Sequence, residues 1–240
     1  MSTPIDHIRE LKTGAKNQRD RGLEGYPSAL EMLGDAIELA RKELASSTVA
    51  ERRIAMATEL SDCFGLVGGV QRRWADEADG GARDQHLTEA ASAYDQGFVY
   101  ESDPGFGIVN SYNLVNRLVV RVLLAPQALA SEAAMQLPGI APLKLREELG
   151  NAATTVRRQL AGPRRGDYWA LVDLALLDVL SGRVAARVAY ADFLALSPPD
   201  FAYESALGGL RPLAELPIGV APELKAAVAL LQARLDELLA

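Results

Sequence analysis

The chain has 240 residues, a formal net charge of −7, 49% hydrophobic residues and only 6% aromatic residues. This acidic balance gives no overall positive field toward nucleic acid, so direct nucleic-acid binding is disfavoured. The single cysteine, Cys63, excludes an intramolecular disulfide and a cysteine-based zinc site, and it suits a reducing cytoplasm. Since no apolar run reaches membrane-spanning length and the N-terminus shows no apolar signal region, we expect a cytoplasmic protein without a membrane partner.

The first half of the chain predicts five helices from its apolar periodicity and its Gly and Pro breakers. They cover approximately residues 4–22, a segment that starts at Tyr26 and runs past residue 44, and residues 48–74, 85–101 and 110–121. The polar stretch between the third and fourth predicts a lengthened turn over residues 75–85. Consecutive helices joined in this way predict antiparallel hairpins.

The second half begins with a Pro- and Ala-rich connection over residues 125–142, the best candidate for a hinge or a mobile loop. Further helices are predicted over residues 143–161, 168–181 and 184–196, and a short proline-punctuated segment follows. Pro222 opens the last helix, whose leucine seam predicts a capping helix over residues 222–240. The predicted fold class is therefore all-α, with stacked helical hairpins in one domain over residues 1–240.

Two segments carry the spacing of a tetratricopeptide repeat, which is about 34 residues long. In residues 167–200, Ala186, Tyr190 and Pro198 stand at the offsets of the repeat's small residue, aromatic residue and terminal proline. In residues 57–104, Ala90 and Tyr94 stand near the first two of these roles. Such repeats stack into a superhelix with a concave binding face.

The helix NSYNLVNRLVVR over residues 110–121 has an unusual polar arc. At 100° per residue, Asn110, Asn113, Arg117 and Arg121 fall together. Asn is a poor helix former, costing roughly 0.6 kcal/mol against Ala, so these amides are expected to be used. Two interpretations stay open at this point: a buried polar network that fixes helix packing, and a ligand-facing groove that recognises phosphate, carboxylate or base edges.

A carboxylate, Asp173, lies among apolar residues on the helix that begins at Tyr168. It needs a partner. Arg117, Arg72 or Arg73 could form a structural ion pair with it, or it could contact a ligand directly. Trp74 and Trp169 suit a hydrophobic core, and beside Arg and Asn they also suit the stacking of a planar ligand.

Four elements together resemble the tetratricopeptide-repeat sensor family, TPR-S, over approximately residues 60–210. They are QRRW at residues 71–74, YDQGF at 94–98, the Asn/Arg helix, and GDYWALVD at 166–173. Eukaryotic relatives of this family lie in the regulatory region of apoptosis-signal-regulating kinases, and bacterial members occur with antiviral and conflict systems. The resemblance implies a small, nucleotide-derived anionic ligand, an effector protein as partner, and a role in bacterial immunity. It implies these ligand-binding residues: Arg72, Arg73, Tyr94, Asn110, Asn113, Asn116, Arg117, Tyr168, Trp169 and Asp173.

Catalytic machinery has no visible signature. The glycine-rich run at residues 65–69 lacks the Lys-Ser/Thr of a phosphate loop, and close helix packing explains it better. His7 and His86 have no metal-ligand spacing, so surface positions are expected, with no metal or cofactor. We therefore expect a ligand-sensing module and not an enzyme. The alternatives are a protein-interaction scaffold that binds a peptide in its groove, and an unrecognised nucleotide hydrolase, which would need a carboxylate cluster beside the arginines.

Overall fold

The computed structural model describes residues 3–239, and these are almost entirely helical. The helices are α1 (Pro4–Arg19), α2 (Tyr26–Ser46), α3 (Ala50–Asp76), α4 (Gly80–Ser102), α5 (Tyr112–Leu124), α6 (Leu145–Ala161), α7 (Tyr168–Leu180), α8 (Ala186–Ala189), α9 (Ala191–Ala195), α10 (Asp200–Ala214) and α11 (Ala221–Leu239). The short strands β1 (Met135–Leu137) and β2 (Ile140–Leu143) pair with each other. The all-α class is confirmed. No helix within residues 3–239 combines the length and the apolar character needed to cross a bilayer.

The chain forms two compact units. The first contains the residues up to Val120 together with Leu137–Ile140, and the second contains Arg121–Gln136 and the residues from Ala141 onward. In the first unit α1 packs on α2, α2 on α3 and α3 on α4, and α1 also touches α3. The first helices of consecutive hairpins are thus neighbours, as expected for stacked helical repeats.

Capping interactions explain where several helices begin. Thr3 caps α1 through a reciprocal pair of bonds with Asp6, and Pro4 occupies the first helical turn, where no backbone N–H is needed. Asp167 caps α7 by accepting hydrogen bonds from the backbone N–H groups of Trp169 and Ala170. Each cap satisfies N–H groups that a helix cannot pair internally.

Apolar residues from α1, α2 and α3 form the core of the first unit. One cluster contains the fully buried Ile8, Ala36 and Leu60 together with Phe64, and a second surrounds Leu33. Small residues are frequent in this core, which allows the helices to approach closely. Burying such residues contributes about 25 cal/mol per Å² of apolar surface, and it fixes α1 against α3.

In the second unit α6 packs on α7 and α10 on α11, and α8 touches both α7 and α11. The leucine seam of α11 is buried at Leu224, Leu231 and Leu235. The connection predicted over residues 125–142 contains a 3-10 turn (Pro126–Ala130) and the β1–β2 hairpin. Pro138 and Gly139, which has a φ of 73°, form the hairpin turn.

Three parts of the predicted element order differ from the structure. The segment predicted as short and proline-punctuated forms the 15-residue helix α10, with Pro212 inside it. The turn between α3 and α4 comprises only residues 77–79, because the Gly-rich segment that follows is already helical. The helix predicted over residues 184–196 is interrupted at Tyr190, which separates α8 from α9. The hairpin over residues 167–200 therefore departs from a regular tetratricopeptide repeat in its second helix.

Candidate ligand groove

Glycines on α3 and α4 allow α3, α4 and α5 to pack closely against one another. A Cβ atom at Gly68 would lie 2.7 Å from the Tyr94 ring, and one at Gly97 would lie 2.5 Å from Asn113. Gly65 is also close-packed, although less tightly, with Tyr112 and Asn113 about 3.0 Å from its ideal Cβ position. The interpretation of the glycine run as a packing feature is confirmed, because side chains at these positions would collide with their neighbours.

The first turn of α5 is fully capped by two side chains. The Oδ1 atom of Asn110 accepts hydrogen bonds from the backbone N–H groups of Ser111 (2.8 Å) and Tyr112 (3.1 Å). The carboxylate of Glu101 accepts those of Asn113 and Leu114, each at 3.3 Å. A helix N-terminus attracts anions, and here a carboxylate of the protein itself occupies that place.

Asn113 is 1% exposed and belongs to a buried polar network. Its Nδ2 atom donates to Glu101 (2.7 Å) and to both the Oγ atom and the carbonyl oxygen of Ser61 (3.0 and 3.1 Å). Ser61 in turn donates to Glu101. Burial raises the pKa of the Glu101 carboxyl, against the hydrogen bonds from Asn113, Leu114 and Ser61, which lower it.

The polar arc of α5 is therefore not one accessible surface, because Asn113 and Arg121 are covered by neighbouring elements. Both are 1% exposed, and most of the apolar residues of α5 are buried as well. The helical wheel places these residues in one arc but does not show which neighbour covers it. For Asn113 the buried-network interpretation holds, because it packs α3, α4 and α5 together.

The arginines singled out by sequence lie in different surroundings. The guanidinium of Arg117 lies over the Phe98 ring at 3.9 Å from the centroid, and its Nη1 atom is 3.8 Å from Asp95. Arg72 donates to Asn116 at 3.5 Å. Arg73 is half-exposed and forms a loose ion pair with Asp20 at 3.7 Å.

The aromatic residues proposed to stack a base also lie in different surroundings. Tyr94 is 1% exposed, so it serves as core packing and not as a platform, which corrects that expectation. Trp74 stacks on His86 with ring centroids 4.4 Å apart, and His86 is hydrogen-bonded to Gln71 at 2.8 Å. His86 is thus part of this packing and not the surface residue expected. Residues 3–239 contain no group of three His, Cys, Asp or Glu side chains that could hold a metal ion.

In the second unit, Tyr168 and the partly exposed Trp169 lie with ring centroids 5.0 Å apart, and Trp169 also approaches Phe201. Asp173 is half-buried, and its charge contributes to raising the pKa of Tyr190 after the larger effect of burial. The carboxylate buried in α7 is instead Asp178, 7% exposed, which pairs with Arg157. Sequence reasoning singled out this helix through Asp173 and missed Asp178.

A cavity of about 240 Å³ opens where α1, α3 and the start of α5 meet. It is named here the α1–α3 groove, and its lining residues are Lys12, Lys16, Asp62, Leu66, Asn110 and Tyr112. Of the ten residues predicted to bind a ligand, Asn110 alone belongs to this lining. The first helices of consecutive hairpins form it, as in the concave binding surfaces of repeat proteins.

The two lysines of the groove differ in their partners. Lys12 is largely buried and donates to Glu59 (2.6 Å) and to Asp62 (2.9 Å). Burial lowers the pKa of Lys12, but the neighbouring carboxylates outweigh it and the net shift is upward. The ammonium of Lys16 is exposed and forms no ion pair within residues 3–239.

Sequence reasoning missed both lysines because single lysines on an amphipathic helix are usually solvated. The available signal was their spacing: residues four apart on α1 lie on the same face, next to the Leu11 and Ala15 positions that pack inward. Two lysines of one helix that lie next to its buried apolar face indicate that they line a groove between this helix and its neighbour.

The Tetratricopeptide Repeats-Sensor family model, TPR-S, matches residues 4–122. This range includes α1 and α2, which the expected range of residues 60–210 did not, and it ends within the last turn of α5. It contains the whole of the α1–α3 groove. Comparisons with curated proteins and with solved structures gave no match.

Proposed function

Because residues 4–122 belong to the Tetratricopeptide Repeats-Sensor family, we propose that they bind a small anionic, nucleotide-derived ligand in the α1–α3 groove. The family makes this part of the chain a sensor module of helical repeats. The module signals to a partner effector protein, in a bacterial antiviral or conflict system, and it is not catalytic. Tyr112 at the rim of the groove supplies an aromatic face for a base.

The observation that carries this proposal is the Lys16 ammonium, exposed in the lining of a cavity within the matched segment. In a chain of net charge −7, a local cation concentrates attraction for an anion at one place. Lys12 adds donors at the inner wall while its charge is balanced by Glu59 and Asp62. A phosphate that reaches Lys16 makes a charge-assisted hydrogen bond.

The size of the groove limits what it encloses. Its volume of about 240 Å³ lies below the roughly 300–1,000 Å³ of pockets that enclose drug-sized ligands. A phosphate with part of a sugar fits inside, and a base remains at the rim beside Tyr112, which is 44% exposed. This favours a mononucleotide-sized group over a longer oligonucleotide.

A ligand panel tests the proposal. Binding of AMP, ADP and cyclic nucleotides is measured by thermal shift and calorimetry on the wild type and on Lys16→Glu. We expect a stabilising shift with at least one nucleotide and about tenfold weaker binding by the variant, since loss of a charge-assisted bond is worth roughly 1.5–3 kcal/mol. Lys225→Glu on α11 is the matched control, because it makes the same charge change at an exposed position of the second unit.

Three results would overturn the proposal. Equal affinities of Lys16→Glu and Lys225→Glu would remove the groove as the binding site. Tight binding of a peptide that neither variant alters, with no nucleotide bound, would favour the scaffold alternative. Turnover of a nucleotide by the wild type would favour the hydrolase alternative.

A further inference from the structure

Asp62 is the acidic member of the groove lining, and its position differs from that of its neighbour Glu59. The side chain of Glu59 is 6% exposed, whereas that of Asp62 is 44% exposed. Glu59 accepts from Arg9 at 2.9 Å and from Lys12 at 2.6 Å, so two cations share this buried carboxylate. Asp62 accepts from Lys12 through its Oδ2 atom alone.

The charges of this row balance. Arg9, Glu59, Lys12 and Asp62 sum to zero, and Lys16 supplies the net positive charge of the groove. An ionised carboxylate offers about four acceptor sites on its two oxygens, and the contact with Lys12 uses one of them. Asp62 therefore presents acceptors to whatever occupies the groove.

A carboxylate in an anion-binding groove is costly unless the ligand brings donors to it. A bare anion would be repelled by Asp62, whereas hydroxyl groups next to the anionic group would satisfy its oxygens. A site built to hydrogen-bond a hydroxyl rejects an analogue that lacks it, since the polar group of the site is left unpaired.

We propose that Asp62 accepts hydrogen bonds from ligand hydroxyls, so that the groove selects a sugar phosphate, free or within a nucleotide, over a phosphate without neighbouring hydroxyls. This inference rests on the proposed function, which supplies the anion site at Lys16. It assigns the two ends of the ligand: the phosphate lies at Lys16, and the sugar lies between Asp62 and Tyr112.

The test compares ribose 5-phosphate with cyclopentylmethyl phosphate, a ring of the same size without hydroxyls, by NMR titration of the full chain. We expect the wild type to bind ribose 5-phosphate about tenfold more tightly, which corresponds to one hydrogen bond to a charged group. Asp62→Ala should bind both phosphates with similar affinity and should bind inorganic phosphate at least as well as the wild type, because a negative charge is removed. Asp35→Ala on α2 is the control with the same charge change.

The outcomes separate the two proposals. Discrimination that persists in Asp62→Ala, while Lys16→Glu weakens all three phosphates, overturns the role of Asp62 and leaves the proposed function standing. Binding that is insensitive to Lys16→Glu overturns both. AMP distinguishes the source of the sugar phosphate: tighter binding of AMP than of ribose 5-phosphate, lost in Tyr112→Ala, identifies a nucleotide.

Discussion

The side-chain amide of Asn113 donates a 2.7 Å hydrogen bond to the carboxylate of Glu101, so that α5 is held to the end of α4 by a buried charge-assisted contact. The same carboxylate caps the backbone of α5 at Asn113 and Leu114. One acidic residue therefore fixes both the start of α5 and its packing against α4.

Replacing Asn113 with Ala should destabilise the first unit. The change leaves Glu101 and the Ser61 carbonyl oxygen without their amide donor in a buried site, which costs about 2 kcal/mol. Thermal unfolding should show a melting temperature lower by roughly 4–8 °C. Asn116→Ala, one turn later on α5, is the control and should change stability by less than about 1 kcal/mol. Equal losses in the two variants would contradict the network.

Glu101 should make stability depend on pH in an identifiable way. Its folded-state pKa is raised above the ordinary glutamate value of 4.5, chiefly by burial. The folded state therefore binds the proton more readily, so its stabilising contribution is present below pH 4.5 and is lost as the pH rises through the folded pKa. The free energy of unfolding of the wild type minus that of Glu101→Gln should fall with rising pH above 4.5, by at most about 1.4 kcal/mol per pH unit. Denaturant titrations at several pH values measure it, and a difference that rises with pH would show the opposite shift.

Gly68→Ala should disrupt the packing of α4 on α3. The added methyl group would lie 2.7 Å from the buried Tyr94 ring, and such overpacking costs about 1–3 kcal/mol. Gly34→Ala in α2 is the matched control, since nothing lies within 4 Å of its ideal Cβ position. There the substitution should stabilise the protein by roughly 0.5–1 kcal/mol, because Ala has the higher helix propensity. Urea unfolding of both variants decides the point, and similar changes in the two would argue against a tight contact at Gly68.

Arg117 should matter more for stability than for ligand binding. Its guanidinium covers Phe98 and lies near Asp95, and removing it with Arg117→Met should cost about 1–2 kcal/mol. Arg73→Met, at a half-exposed position, should cost less than about 0.5 kcal/mol. Nucleotide affinity of Arg117→Met should remain within about twofold of the wild type, as measured by calorimetry. A large loss of affinity without a loss of stability would return Arg117 to the ligand site.

The sequence predicted the helices well because their ends carry local signals. Pro4, Tyr26-Pro27 and Pro222 mark helix starts that the structure confirms to within one residue. The missed features are of two kinds. The prolines around α10 concealed a helix of 15 residues that continues through Pro212, and the other missed features are very short. The β1–β2 hairpin has too few residues to show a period of two, and nothing local separates α8 from α9.

The site was harder to predict for a physical reason. A helical wheel shows that Asn110, Asn113 and Arg117 share an arc, but it cannot show that Glu101 and Ser61 lie against Asn113. Conversely, a single lysine such as Lys16 on an amphipathic helix is usually solvated, and only the approach of α3 and α5 places it in a groove. Recognition of the ligand by a cation beside a side-chain amide remains a prediction, and the cation proposed is now Lys16 on α1.

Glu101 gives this arrangement a further property. Its carboxylate accepts hydrogen bonds from backbone N–H groups in the first turn of α5. These donors are therefore already used and do not attract an anion from solution. Under the function proposed above, charge recognition lies instead with Lys16 on α1, which forms no ion pair with the other helices within residues 3–239. On that proposal, substitutions at Lys16 would change which anion is bound while the α3–α4–α5 assembly keeps its stability, so recognition and architecture would be separately adjustable.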